Sequence, residues 1–156
     1  MKAGSLSHAE AGRIWSLVGF VSLASGFVWG GISDIIGRRA ALCIVFCLQT
    51  LSFAIFAFST GRIGFYASAL AFGISAWSIP CIVAAFAGDI VGARLAPAAL
   101  GAVTVILSIG QALGPYVAGS LADAAGTFSS SFMLASLVAA GGAIGVLFLN
   151  KSEKTV

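Results

Sequence analysis

A chain of 156 residues that is 60% hydrophobic and only 8% charged cannot cover a water-facing surface, since soluble domains carry roughly 25% charged residues. Small domains keep much of their surface exposed whatever they bury, so the surrounding medium is read as lipid. The net charge of +3 is carried by lysines and arginines set singly or in pairs, which leaves no basic stripe to follow phosphates and excludes nucleic acid as a partner.

A charged side chain at the bilayer centre costs at least ~2.5 kcal/mol, so charges should mark the ends of crossings. Uncharged intervals run from Ile14 to Ser33, Ala40 to Gly61, Ile63 to Gly88, Leu95 to Ala122 and Ala124 to Asn150. Each is long enough to supply the roughly 20 helical residues that a hydrocarbon core requires. Stretches such as ALCIVFCLQTLSFAIFAF are apolar on every face. They lack the alternation of a barrel strand, so helices that satisfy their own backbone are the permitted choice. The expected fold is therefore an all-α membrane protein. It is a single domain over 1–156 with five spans near 14–33, 40–60, 63–87, 96–121 and 128–149.

The first span follows thirteen polar residues, is too long for a signal-peptide core and has no small-residue cleavage site. It reads as a signal anchor in a bacterial-type inner (plasma) membrane, with nothing removed. At its end, Gly30, Asp34 and Gly37 form the pattern G-x-x-x-D-x-x-G, continued by Arg38 and Arg39. Glycine permits a tight turn and close helix approach, and the carboxylate can meet a neighbouring arginine or helix N-terminus. The competing reading is a polar turn whose arginines only set topology. In the second span, Cys43 and Cys47 share a face without histidine or aspartate beside them; with Cys81 they are read as apolar packing. Gln49 and Thr50 could tie helices together by hydrogen bonds.

The third span carries Ser75, Trp77, Ser78 and Pro80 near its middle. Proline there frees a backbone carbonyl that buried polar groups must satisfy, and Ser75, Trp77 and Ser78 are candidate substrate contacts beside a packing role. In the fourth span Thr104, Ser108, Gln111 and Pro115 fall at i, i+4, i+7 and i+11, one stripe on one face. Such a stripe lines a translocation route, or its hydroxyls bond their own backbone and its amide ties two helices. The pattern G-x-x-x-D-x-x-G returns at Gly119, Asp123 and Gly126, without the arginine pair. Five spans put the two copies on opposite membrane faces, as in inverted three-helix repeats. The last three spans make one complete unit, and the first two make a unit short of a helix. Gly26/Gly30, Gly110/Gly114 and Gly141/Gly145 have the spacing of close-packed helices.

The only histidine, His8, lies near the N-terminus, so no histidine-based metal site or nucleophile–base pair can be assembled. There is no phosphate loop for ATP hydrolysis. No catalytic residue, metal or cofactor is expected, and the chain is not read as an enzyme.

The loop Gly30–Arg39 resembles the signature of the major facilitator superfamily, and the similarity continues through Gly88-Asp89 and Gly110–Gly126. The chain is similar to helices eight to twelve of a twelve-helix transporter, in the YbfB/YjiJ-like branch. That resemblance implies a secondary transporter working by alternating access on a small solute, driven by an ion gradient. Seven further helices, on the same chain or a complementing one, are implied as partner. It also implies that Asp34 latches one conformation by facing the start of the fourth span near Ala96 and Pro97, with Arg94 close by. The alternative is a non-transporting membrane subunit or scaffold, or a decayed remnant of a carrier.

Alternating the connections places Arg38, Arg39, Arg94, Lys151 and Lys154 on one face and Lys2, Arg13 and Arg62 on the other. The excess of Lys and Arg on cytoplasmic connections puts the first group and the C-terminus inside, and the N-terminus outside.

Overall fold

The computed structural model describes residues 7–149. It contains α1 (His8–Ile36), α2 (Arg38–Phe58), α3 (Arg62–Ser75), α4 (Ser78–Val91), α5 (Ala96–Ala125) and α6 (Ser129–Leu147). α3 and α4 are two halves of one crossing, Arg62–Val91, so five helical segments are long and apolar enough to cross a membrane. Lys2, Lys151 and Lys154, used above for orientation, lie outside the described residues.

α1 starts six residues before the first uncharged interval. Ser7 and Glu10 form a reciprocal capping box: the Ser7 hydroxyl accepts from the Glu10 backbone N–H at 3.2 Å and the Glu10 carboxylate accepts from the Ser7 N–H at 2.9 Å. This satisfies two of the orphan amides at the helix start. The helix ends at Gly37, with φ 91°, where a side chain would be strained. A single residue thus turns the chain from α1 into α2. Gly126, the last glycine of the second motif copy, also has positive φ (67°) and ends α5. The last glycine of each copy therefore ends a helix with positive φ, but the turns differ: Gly37 has ψ 146° and Gly126 the left-handed helical ψ of 10°.

The middle of the bundle is made by α1, α2, α4 and α6. Trp29, Ala41, Leu42, Val45, Ile82 and Val146 form its buried core, edged by Ile32, Phe46 and Val83. The buried polar residues are all serines, small enough to let helices approach while bonding across them. Ser52 and Ser68 clasp α2 to α3: each hydroxyl donates to the other residue's carbonyl, at 2.8 and 2.9 Å. Ser136 of α6 donates to the Thr50 carbonyl of α2 at 2.9 Å. An aromatic cluster closes the end where α2 meets α3, with Phe56 and Phe132 rings stacked at 3.8 Å.

Glycine spacing does not mark the tight approaches. Gly30, Gly110, Gly114, Gly141 and Gly145 have open space where a Cβ would stand; of the paired glycines only Gly26 is tight, its Cβ falling 2.8 Å from Cys81 Sγ. Between two spans the tightest glycine is Gly142, where a Cβ would lie 2.5 Å from a Phe46 ring carbon. A Gly142→Val substitution should push α6 off α2 and sharply lower the melting temperature of the detergent-solubilised protein. Gly141→Ala, one residue away in open space, should leave it unchanged. Overpacking a tight interior typically costs about 1–3 kcal/mol.

α5 is the outlier. It packs on α4 at its start, near Gly88 and Ala96, and on α6 at its end, where Ser131 Oγ donates to the Ala118 carbonyl at 2.7 Å. Its 30 residues span about 45 Å at 1.5 Å per residue. None of its most apolar stretch is buried in the bundle.

Candidate functional site

Three arrangements place the residues singled out in the sequence. The first lies where α1, α2 and α4 end together. Arg38 is mostly covered, and its guanidinium binds Asp34 through Nη1 at 2.6 Å and Asp89 through Nε at 2.9 Å. Nη1 also donates to the Ser33 hydroxyl. Forked donors in a plane suit arginine to holding two carboxylates at once, where lysine would be a point charge. Arg38 therefore ties the last turn of α1 and the first of α2 to the last turn of α4. Beside it, Arg39 donates to the Leu147 carbonyl at the end of α6, a cation at a helix C-terminus. One arginine pair thus collects the ends of four helices.

Asp34 is itself 62% exposed and its ion-pair partner is Arg38. The first turn of α5, with Ala96 and Pro97, packs beside Gly88 of α4. Arg94 is exposed and makes no ion pair among the described residues. Asp89, which entered the sequence reading only as part of the family resemblance and without a role, is the second acid of the site. The available signal was topological: the loops after Asp34 and after Asp89 share a face, and only one of them carries an arginine pair.

The second arrangement is the break in the third span. A proline at position 80 has no N–H for the Ala76 carbonyl, and its ring clashes with that carbonyl in a continuous helix. The helix accordingly stops at Ser75 and restarts at Ser78, at the middle of the 30-residue crossing. Hydrocarbon supplies no partners for the groups set free, so neighbouring helices do. Trp29 Nε1 of α1 donates to the Ile74 carbonyl at 3.0 Å, and Gln49 Nε2 of α2 donates to the Ser75 carbonyl at 3.2 Å. The Trp77 N–H donates to Ser25 Oγ at 3.2 Å.

Ser75 and Ser78 are completely buried, whereas Trp77 is exposed. Ser75 Oγ bonds the carbonyls of its own helix at Ala71 and Phe72. Ser78 Oγ is buried with no hydrogen-bond partner among the described residues. Gln49 does link helices as its type suggested; Thr50 bonds the Phe46 carbonyl of its own helix. Trp29 and Ser25 were missed in the sequence because, among so many apolar residues, nothing local distinguishes them.

The third arrangement is the stripe on α5. Thr104 Oγ1 donates to the Leu100 carbonyl and Ser108 Oγ to the Thr104 carbonyl, both at 2.8 Å, so these hydroxyls are satisfied locally. Gln111 is exposed at the helix midpoint and has no hydrogen-bond partner among the described residues. An unpaired amide in an apolar medium costs roughly 2–7 kcal/mol. Pro115 lies one turn further on the same exposed face.

No group of three or more histidine, cysteine or acidic side chains among the described residues could hold a metal ion. Glu10, Asp34, Asp89 and Asp123 all lie within a few residues of a helix end.

Residues 1–147 match the family described as uncharacterised MFS-type transporter YbfB. This chain belongs to that family. The match takes in both copies of the glycine–aspartate motif, the broken third span and the α5 stripe, so the transporter assignment rests on nearly the whole chain. The protein is accordingly a multi-pass membrane protein of the major facilitator superfamily, and its five crossings suit one half of such a carrier. No curated protein matches the chain.

Proposed function

We propose that this chain is the moving helical half of a secondary transporter, which carries a small solute by alternating access while rocking against an opposing bundle. Arg38 carries the proposal. It holds α1, α2 and α4 together at one membrane face through two carboxylates, so closing or opening that face requires exchanging strong charged hydrogen bonds. Asp34, exposed and joined among the described residues only to Arg38, is the group free to exchange partners when the bundles move. Gly37 shapes the turn that presents Asp34 and Arg38, Gly30 lies one helical turn before Asp34 within α1, and Arg39 and Arg94 complete the positive face. By the charge rule, that face is cytoplasmic in a bacterial-type inner membrane, the N-terminus is outside and the C-terminus inside.

The solute's path would run between the broken span, at Ser75, Trp77 and Ser78, and the α5 stripe of Thr104, Ser108, Gln111 and Pro115. Broken helices at the midplane are where transporters of several folds bind their cargo; here Trp29, Gln49 and Ser25 hold the backbone groups at residues 74, 75 and 77, and Ser78 Oγ is the buried polar group without a partner among the described residues. A proton-coupled cycle needs a titratable group within the membrane. The acids among the described residues, Glu10, Asp34, Asp89 and Asp123, sit at helix ends, so that group would belong to the opposing bundle.

The test is uptake of a panel of small organic solutes into cells or proteoliposomes under an imposed ion gradient, comparing the wild type with Asp34→Asn. The amide keeps the shape but loses the charge that pairs with Arg38. Uptake of the transported solute should fall roughly tenfold, the effect of about 1.4 kcal/mol, with membrane abundance preserved. Unchanged uptake would remove Asp34 from the conformational cycle. A panel in which nothing moves with either form would favour a non-transporting membrane subunit.

A further inference from the structure

Hydroxyls inside these helices find acceptors in a few recurrent ways. Thr50, Ser75, Thr104, Ser108 and Ser120 each donate to the carbonyl four residues back in their own helix, the local bond open to serine and threonine in a helix. Ser22, Ser25 and Ser33 donate three residues back, and Ser52, Ser68 and Ser136 donate to a neighbouring helix. Ser78 does none of these. Its hydroxyl is completely buried and has no partner among the described residues. The carbonyl four residues before it, that of Ile74, instead accepts Trp29 Nε1 of α1 at 3.0 Å. α1 holds the break at a second point, where the Trp77 N–H donates to Ser25 Oγ at 3.2 Å. Gly26, between Ser25 and Trp29, permits this close approach: a Cβ there would stand 3.4 Å from the Trp77 carbonyl oxygen.

We infer that the third span is a hinge with two hydrogen-bonded forms, and that Ser78 is the donor that replaces Trp29 on the Ile74 carbonyl when α1 withdraws. In the form described above, α1 supplies the donor and the span is broken at residues 76–77. In the second form α3 and α4 join as one proline-kinked helix. There the Ser78 hydroxyl reaches the carbonyl four residues back, as Thr50 and Ser75 do in their helices, and the Trp77 N–H returns to the Gly73 carbonyl. The exchange keeps the Ile74 carbonyl satisfied at a depth where hydrocarbon offers no donor. Each form leaves one donor unpaired, the Ser78 O–H in the first and the Trp29 N–H in the second, so neither is favoured by a whole hydrogen bond. α1 also carries Asp34, five residues beyond Trp29 and bound to Arg38, so a shift of α1 that loosens the charged face also releases the break. The inference goes beyond the transporter reading and stands without it, because the hinge belongs to the span itself.

The test follows the Trp29 indole N–H of the full chain in detergent micelles by nuclear magnetic resonance, its signal assigned by its loss in Trp29→Phe. A hydrogen-bonded indole proton resonates downfield of a free one, so the signal reports the ratio of the two forms. Ser78→Ala removes an unpaired buried hydroxyl from the first form and the replacement donor from the second. The ratio should therefore shift about tenfold toward bonded Trp29, the effect of one net hydrogen bond. Ser75→Ala deletes a hydroxyl that bonds its own helix and should move the ratio less than about twofold. Pro80→Ala restores the missing N–H and removes the ring clash, so it should shift the ratio about tenfold toward free Trp29. Adding Ser78→Ala to Pro80→Ala should reverse that shift.

Where Trp29 is so fully bonded in the wild type that Ser78→Ala has no room to act, the Pro80→Ala background decides. Trp29 still bonded in Pro80→Ala, or a ratio that Ser78→Ala leaves unchanged there or moves toward free Trp29, would overturn the inference. The solute-uptake assay separates its failure from that of the transporter reading. Asp34-dependent uptake without the Ser78 effect sinks only the hinge, whereas a Ser78-dependent hinge in a chain that moves no solute sinks only the carrier.

Discussion

Replacing Arg38 with alanine should be the most damaging single change at the charged face. It leaves Asp34 and Asp89 close together without the cation that binds both and strips Ser33 of its guanidinium contact. Hydrogen bonds between charged groups contribute about 1.5–3 kcal/mol each when shielded, but exposed pairs contribute 1 or less. Both aspartates are about half exposed, so the combined loss is set at about 2 kcal/mol. If that energy separates two conformations, their ratio shifts by roughly thirtyfold. Thiol-reactive dye labelling of Cys43, which is partly covered in α2, should report a lower melting temperature in detergent. Arg38→Lys should lie between the two, because an ammonium retains the charge without the fork that reaches two carboxylates. Asp34→Asn should be milder than Arg38→Ala, since it removes one partner and leaves the Arg38–Asp89 tie. A melting temperature unaffected by Arg38→Ala would mean that the network holds nothing together.

The second large effect is expected at the broken span. Trp29→Phe and Gln49→Met each keep most of the side-chain volume while deleting the N–H that caps a carbonyl of the interrupted helix. A buried acceptor left unpaired costs about 1–3 kcal/mol, and at the midplane no water is at hand to replace the donor. The double substitution should approach the sum of the two, because the donors come from different helices and cap different carbonyls. The measurement is melting of each variant in detergent, followed by amide hydrogen exchange over residues 72–80. Exchange there should quicken in the double variant before it does in α2 or α6. Exchange rates and melting that match the wild type would show that the freed carbonyls find other partners and that these side chains only pack.

The two experiments probe different parts of the same machine. On the proposed cycle, the charged face would decide which end of the bundle is held shut, and the broken span how easily the third crossing bends. A change in the first should alter the balance between conformations, and a change in the second should also loosen the helix itself.

How far residues foretell structure differs across the molecule for physical reasons. The expense of burying charge in lipid is so large, and so local, that five crossings follow from where Arg38, Arg62, Asp89, Arg94 and Asp123 interrupt the apolar intervals. Backbone sterics are equally local. Gly37 and Gly126 mark turns with positive φ at matching places in both motif copies, and Pro80 marks the point near which the third helix stops. Close packing is not local. Gly142 rather than Gly141 or Gly145 meets Phe46, because the glycine that matters is whichever one the crossing of α2 and α6 brings to the seam.

Hydrogen-bond partners across the bundle follow the same division. That something must cap the carbonyls near Pro80 is dictated by the chain and its solvent; that Trp29 and Gln49 do so depends on how α1 and α2 lie against the break. Asp34 and Arg38 were visible together as a motif, but Asp89 enters only because α4 ends beside them. Sequence by itself determined the medium, the number of crossings and the turns, since each depends on the cost of placing one residue in one environment. Tertiary structure alone decided the partners, since an interaction between distant residues depends on the mutual placement of whole helices, which no short pattern records.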